Sequence, residues 1–131
     1  MLQKPNRLAK TRDFNLLIKH GRFFGNKIFN LKWLRLAEAE NYFPKKENSE
    51  NFKKQLKIAI SAGLKISKSA VKRNRLRRQA REVIRLLTKE EKIKNGYYLL
   101  FSAKAGALEK NFAEIRQDIE LSLAKIGALK S

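Results

Sequence analysis

The densest set of side chains that could do chemistry in this sequence is a run of bases between residues 72 and 85. Seven Lys or Arg residues fall in this stretch: Lys72, Arg73, Arg75, Arg77, Arg78, Arg81 and Arg85. The arginine guanidinium offers five N–H donors in a rigid planar fork, which suits phosphate oxygens and base edges and can also stack on bases. The run therefore predicts contact with nucleic acid, and the alternative is a solvated basic face or a nuclear-import-type run.

Other chemistry is sparse in this chain. The sequence has no cysteine and a single histidine, His20, which excludes thiol catalysis, disulfides and zinc fingers. No pair of carboxylates suggests a general acid and base, and we expect Glu82 to pair with Arg78 and Arg85 at helical spacing. We therefore predict no catalytic residue in the protein itself.

The bases lie on a predicted helix over residues 69–87. Its apolar side chains recur at the spacing of one helix face, namely Leu76, Ala80, Val83, Ile84 and Leu87. A predicted strand over residues 55–62 precedes this helix, and the turn between them carries Lys65 and Lys68. The free N–H groups at such a helix start can bind phosphate. The helix is thus expected to be a core element and a cationic surface at once.

Further elements complete an α+β pattern. We predict a first helix over residues 12–20 with Asp13 in its first turn, strands over 28–36 and 97–102, and a last helix with an Asn111–Glu114 capping box. Within strand 28–36 the apolar phase changes after Trp33, which indicates a bulge or burial on both faces. The order strand, basic helix, strand favours a parallel pair joined by a crossover.

Length and charge bound the class of protein. A chain of 131 residues is expected to form one domain, residues 1–131, with a basic arm at 1–10 and a charge-balanced loop at 38–54. The net charge of +19 points first to nucleic acid and second to an anionic membrane. We find neither an 18-residue apolar run nor a signal-peptide pattern, so we expect a cytoplasmic protein with no membrane partner. A DNA-reading helix is disfavoured because no helix-turn-helix pair precedes the basic helix.

Two motifs some 50 residues apart carry a family likeness. The first is Arg73-Asn74-Arg75 followed by Leu76-Arg77-Arg78 and Arg81, preceded by Ala70-Val71. The second is Asn6-Arg7-Leu8, then Asp13-Phe14, then Lys19-His20-Gly21. Together with the element order, these motifs resemble the bacterial ribonuclease P protein subunit over nearly the whole chain.

The resemblance implies a fold and a function. The fold would be an α+β two-layer sandwich with a mixed four-stranded sheet and three helices, in the order α-β-β-β-α-β-α, with a left-handed crossover that departs from the usual hand. The protein would be an accessory subunit of a ribonucleoprotein endonuclease, binding a catalytic RNA and helping it remove the 5′ leader of precursor tRNA. The RNA subunit would hold most of the Mg²⁺ and carry the hydrolase centre, so the protein alone would be inactive.

Residue roles follow from the same resemblance. Contact with the RNA subunit would come from the approach turn and basic helix, through Lys65, Lys68, Lys72, Arg73, Asn74, Arg75, Arg77, Arg78 and Arg81. The leader would contact the first helix and the neighbouring sheet, through Arg12, Phe14, Ile18, Lys19 and either Lys32 or Trp33. Ser67-Lys68-Ser69 replaces a glycine-containing family pattern, so the approach turn is expected to differ in shape. The competing interpretation is a structural RNA-binding protein or RNA chaperone with no part in tRNA cleavage.

Overall fold

The computed structural model describes residues 6–42 and 49–130 of the chain. The helices and strands are α1 (Thr11–His20), β1 (Arg22–Gly25), β2 (Phe29–Arg35), α2 (Ser49–Lys53), β3 (Leu56–Ser61), α3 (Ala70–Lys89), β4 (Tyr97–Ala103) and α4 (Phe112–Lys125). Short 3-10 turns lie at Leu36–Glu38, Glu40–Tyr42 and Ala107–Glu109. The predicted α+β class and the order of its main elements are confirmed, and α2 is a fourth helix that the sequence did not reveal.

The four strands form one mixed sheet in the order β1-β2-β4-β3. The pairs β1–β2 and β2–β4 are antiparallel, whereas β3 and β4 are parallel. Parallel neighbours need a long connection, and the basic helix α3 is that crossover. The mixed sheet implied by the family resemblance is thus present, while the hand of the crossover stays a prediction.

Helices α3 and α4 cover one face of the sheet. All five apolar side chains of the predicted stripe on α3 are buried, and α4 contributes Ile115, Ile119 and Leu123. They pack on Phe29, Leu31 and Trp33 from β2 together with side chains from β3 and β4. The capping box predicted for α4 is present, with Glu114 N–H donating to Asn111 Oδ1 at 2.9 Å. This is the larger of the two cores.

A second core lies on the other face, where α1 packs. It gathers Leu17 of α1, Leu34 of β2, Phe52 of α2 and Tyr98 of β4. Trp33 and Leu34 are both buried because successive side chains of a strand point to opposite faces. Burial on both faces was one of the two explanations predicted for the phase change in β2.

Residues 38–54 lie between β2 and β3, as expected of a loop, but their described part contains short helical elements. The 3-10 turn at Glu40–Tyr42 and helix α2 lie within it, and Phe52 is fully buried with its ring 6.0 Å from that of Tyr98. A helix of five residues is too short to show a helical period in the sequence, which is why the pattern resembled an unstructured loop. Residues 43–48, with Pro44, lie outside the described part of the chain.

Candidate nucleic-acid interface

Helix α3 is fixed to the sheet by one of its own arginines. Arg77 Nη1 donates to the carbonyl oxygen of Ala62, just beyond β3, at 3.1 Å, and Nη2 donates to Asn74 Oδ1. Ser69 Oγ accepts the N–H of Lys72 at 3.3 Å and caps the helix start. Arg77 and Asn74 were predicted as RNA contacts, yet the structure gives both an internal hydrogen bond. Of the two, Arg77 ties α3 to the end of β3, and the RNA contacts of both stay a prediction.

Several other cations of α3 face solvent. Lys72, Arg75, Arg78 and Arg81 are exposed. Arg73 is half-buried, and its Nε is a buried donor with no acceptor among the described residues. Such a donor is costly when no acceptor reaches it. The exposed face of α3 is formed by the other four cations and is a row of positive charge.

The last arginine of the run behaves differently. Arg85 forms an ion pair with Glu82, with Nη2 2.6 Å from Oε1, and its hydrogen bond lowers the pKa of the Glu82 carboxyl. The predicted pairing of Glu82 with Arg85 is confirmed. Arg85 is thus neutralised within the helix, which separates it from the exposed cations nearer the N-terminus.

The turn that leads into α3 is exposed and carries both charge and apolar surface. Lys65 and Lys68 are exposed, and so are Leu64 in the turn and Val71 in the first turn of α3, at 70% and 77% of their full area. The turn is held by local hydrogen bonds, from Ile66 N–H to the Gly63 carbonyl at 3.0 Å and from Ser69 N–H to Ser67 Oγ at 3.1 Å. The serines that replace the family's glycine pattern therefore serve as turn and cap residues.

The predicted leader-binding residues of α1 fall on both sides of its buried residues Asp13 and Leu17. Arg12 and Lys19 are exposed, Ile18 is 52% exposed and Phe14 is half-buried against the smaller core. These side chains are all accessible to a ligand at least in part. Their role in leader binding stays a prediction.

Strand pairing extends that surface across the sheet. Phe23 pairs with Lys32, Lys32 pairs with Leu100, and Leu100 pairs with Ala59, so the four share the face that carries α1. Phe23 is 67% exposed. Sequence reasoning missed it because β1 has only four residues, too few to show alternation. An exposed aromatic ring beside a lysine can stack on a base while the lysine meets its phosphate.

Trp33 does not lie on this face, which corrects its assignment as a possible leader contact. It is 8% exposed and belongs to the core under α3 and α4, with its ring 6.4 Å from that of Tyr97. The guanidinium carbons of Arg22 and Arg35 lie 5.5 Å and 5.8 Å from its ring centre. Of the two alternatives in β2, Lys32 is the one that strand alternation directs to the face of α1.

A buried polar network holds α1 on the sheet. Asp13 is fully buried, its Oδ2 lies 2.9 Å from Lys57 Nζ, and its Oδ1 lies 3.1 Å from the Tyr98 hydroxyl. The same hydroxyl is 2.8 Å from Gln55 Oε1. Burial raises the pKa of Asp13, but the hydrogen bond and charge of Lys57 and the bond from Tyr98 bring it below its ordinary value. The sequence indicated only a helix-dipole role for Asp13, although its spacing of four from Leu17 matches the buried face.

His20 lies at the end of α1 and stacks on Tyr42, with ring centres 3.7 Å apart and planes 14° from parallel. Among residues 6–42 and 49–130, no three His, Asp or Glu side chains come together as a metal site. Over the same residues, no helix is both long and apolar enough to cross a membrane.

These features define a class of basic α+β proteins in which a cationic helix crosses between two parallel strands. The family model for ribonuclease P matches residues 2–127, and the chain therefore belongs to the ribonuclease P protein family. It is the protein subunit of ribonuclease P, the endoribonuclease of tRNA 5′ processing, and the ribonuclease P RNA is its partner.

Individual relatives agree with this membership. The ribonuclease P protein component of Synechococcus sp. (strain JA-2-3B'a(2-13)) is 37% identical over 131 residues, which is 100% of this chain and 89% of the relative. The structure of the Staphylococcus aureus RNase P protein superposes with a TM-score of 0.69 at 21% identity, covering 97% of this chain and 100% of that one. The Thermotoga maritima RNase P protein gives 0.67 at 22% identity, with 92% and 96% covered. These structures show that the fold is shared.

Proposed function

We propose that the exposed face of α3 and its approach turn bind the catalytic RNA of ribonuclease P, and that the sheet face beside α1 binds the 5′ leader of precursor tRNA. The single observation that carries the proposal is the row of exposed cations on α3, formed by Lys72, Arg75, Arg78 and Arg81. Phosphate oxygens would neutralise this row.

The two surfaces are separated by the sheet. Helix α3 covers one face, whereas Phe14, Phe23 and Lys32 belong to the other. A protein of this shape can hold the RNA subunit on one side and a single strand on the other. Its contribution to cleavage is charge screening and positioning, and we assign the chemistry and most of the Mg²⁺ to the RNA, whose phosphates supply the oxygen ligands that Mg²⁺ prefers. This function places the protein in the cytoplasm with its RNA.

Reconstitution tests the proposal as a whole. Adding the protein to a bacterial ribonuclease P RNA should lower the Mg²⁺ concentration needed to cleave precursor tRNA, and protein alone should leave the substrate intact. The assembled enzyme should bind precursor more tightly than mature tRNA. A structural RNA-binding protein or chaperone would bind both alike, and that result would reject the leader-binding role.

The RNA-subunit surface is tested with matched arginines of one helix. Replacing exposed Arg75 and Arg78 with alanine should weaken RNA binding and reduce the slope of log affinity against log salt by roughly 0.7 to 0.9 per lost phosphate contact. Arg85→Ala is the control, because Arg85 is already paired with Glu82. Equal losses of RNA affinity from the three substitutions would indicate a general effect of charge, and the exposed face of α3 would not be a specific binding surface.

The leader surface is tested in the assembled enzyme. Phe23→Ala should weaken binding of precursor but not of mature tRNA, since one lost base stack costs roughly 1 to 3 kcal/mol. Leu121→Ala on α4 serves as the control, being a similarly exposed apolar residue away from this face. If Phe23→Ala leaves precursor binding unchanged, leader binding does not use β1.

A further inference from the structure

The arm that precedes α1 is fixed to the free edge of β3. Asn6 Nδ2 donates to the Leu56 carbonyl at 2.9 Å, and Leu8 N–H donates to the Ile58 carbonyl at 3.0 Å. Arg7 and Ile58 form a parallel bridge, and Leu8 is 4% exposed. The backbone of Arg7 therefore has a defined position on the sheet.

Beyond Leu8 the arm leaves the strand. Leu56 and Ile58 direct their carbonyls at the arm, so alternation points the backbone N–H and C=O of Ile60 to the same side. At Lys10 the chain instead begins α1, and the Lys10 carbonyl accepts the N–H groups of Asp13 and Phe14, each at 3.1 Å. Within the described residues, Ile60 forms no backbone hydrogen bond with residues 8–10, either as donor or as acceptor. One donor and one acceptor of the strand edge are thus available to a ligand.

These backbone groups face a cavity of about 280 Å³ between the arm and α3. Arg7 lines it from the arm, Arg81 lines it from α3, and Ile58 to Ile60 form its floor. Among the described residues, those that line it include no Asp or Glu. Two guanidinium groups beside a backbone N–H form a donor set suited to a phosphate, and a carbonyl beside them can accept a hydroxyl proton.

We propose that this cavity binds one ribose-phosphate unit of the ribonuclease P RNA. Arg7 and Arg81 hold the phosphate together with the N–H of Ile60, while the Ile60 carbonyl accepts a hydrogen bond from the ribose 2′-hydroxyl. That hydroxyl is the group by which a protein distinguishes RNA from DNA. The site rests on the proposed binding of the RNA subunit by α3, and it extends that surface around the strand edge to the N-terminal arm.

The test measures binding to transcribed ribonuclease P RNA over a range of salt concentrations. Arg7→Ala and Arg81→Ala should each weaken binding by about tenfold or more, because each removes a charge-assisted hydrogen bond. The fold-loss of affinity in the double variant should be smaller than the product of the two single fold-losses, because both side chains hold one phosphate. Arg7→Lys keeps the charge without the fork, and its affinity should fall between the wild type and Arg7→Ala.

Lys10→Ala is the matched control, since Lys10 is an exposed cation of the same arm outside the cavity. Equal losses from Lys10→Ala and Arg7→Ala would overturn the site, and so would fully multiplicative effects of Arg7→Ala and Arg81→Ala. An effect of Arg7→Ala on precursor tRNA alone would show that the RNA subunit is not the ligand. If Arg75→Ala and Arg78→Ala weaken binding and Arg7→Ala does not, the cavity assignment fails and the proposed function stands. If none of these variants weakens binding, the proposed function itself fails.

Discussion

Replacing Lys57 with methionine removes the main partner of a carboxylate that has no access to water. The Asp13 side chain is 1% exposed and that of Lys57 is 13% exposed, with 2.9 Å between Nζ and Oδ2. Methionine keeps most of the apolar stem of lysine and removes only its charge and donors. The substitution therefore isolates the ion pair from the packing around it.

The size of the loss follows from what remains around Asp13. Breaking a buried ion pair by removing one partner costs about 3 to 5 kcal/mol, because a charge is left buried without compensation. Here the Tyr98 hydroxyl at 3.1 Å and Arg12 Nε at 3.3 Å still face the carboxylate. We expect the free energy of unfolding to fall by about 3 kcal/mol, the lower end of that range. Adding Asp13→Asn to Lys57→Met should restore much of the loss, since no buried charge then remains.

The free energy of unfolding lost in Lys57→Met should be larger at neutral pH than in acid. In the wild type the pKa of Asp13 lies below its ordinary value, so its stabilising contribution is present above about pH 4 and is lost as the pH falls through the folded pKa. In Lys57→Met, Asp13 is still buried but has lost the hydrogen bond and charge of Lys57, which lowered its pKa most. The pKa of Asp13 therefore moves up. Protonation then relieves the buried charge of the variant. The difference in stability between the two proteins is therefore largest near neutral pH and shrinks in acid.

Urea unfolding followed by tryptophan fluorescence measures both effects. Trp33 is the sole tryptophan and is 8% exposed, so its emission reports unfolding of the core. Lys54→Met is the matched control, because it removes an exposed lysine nearby and should change stability by no more than about 0.5 kcal/mol. A loss below about 1 kcal/mol for Lys57→Met, or one that is the same in acid as at neutral pH, would refute the reasoning.

Two further substitutions test other parts of the fold by the same unfolding assay. The Asp118 carboxylate on α4 accepts hydrogen bonds from the N–H groups of Ile28 and Phe29 at 3.0 and 3.2 Å. In Asp118→Asn an amide NH₂ would face one of these donors, and the free energy of unfolding should fall by about 1 to 3 kcal/mol. An unchanged midpoint would mean that these bonds do not tie α4 to β2. Phe52→Ala should cost about 3 to 5 kcal/mol, since Phe52 is fully buried against Tyr98. A loss near zero would show that residues 49–53 do not belong to the core.

The parts of the fold that the sequence predicted well are those with a local period. The spacing of Leu76, Ala80, Val83, Ile84 and Leu87 is a property of one segment, and all five side chains are buried. The capping box at the start of α4 is likewise contained in four consecutive residues. Elements of only four or five residues, such as β1 and α2, repeat their pattern too few times to give such a signal.

The candidate site was harder to predict because its details depend on residues far apart in sequence. Asp13 meets Lys57 and Tyr98, which are 44 and 85 positions away. A helical wheel places Arg77 on the polar side of α3, but only the folded structure shows that its side chain reaches the Ala62 carbonyl. The choice between Lys32 and Trp33 required knowing which sheet face carries α1. The motifs pointed to segments, whereas the contacts of each side chain depend on the tertiary structure.

The central place of β4 has a consequence for how the chain matures during synthesis. Strands β2 and β3 both pair with β4 and not with each other, so the sheet stays divided until residues 97–103 have left the ribosome. By then the whole of α3, with its unopposed positive charge, has already emerged. The nascent chain is therefore a cationic, incompletely folded polymer in the presence of cellular RNA for most of its synthesis. Completion of β4 joins the two parts of the sheet under the cationic helix, and α4, which follows β4 in the chain, then completes the core that fixes its position.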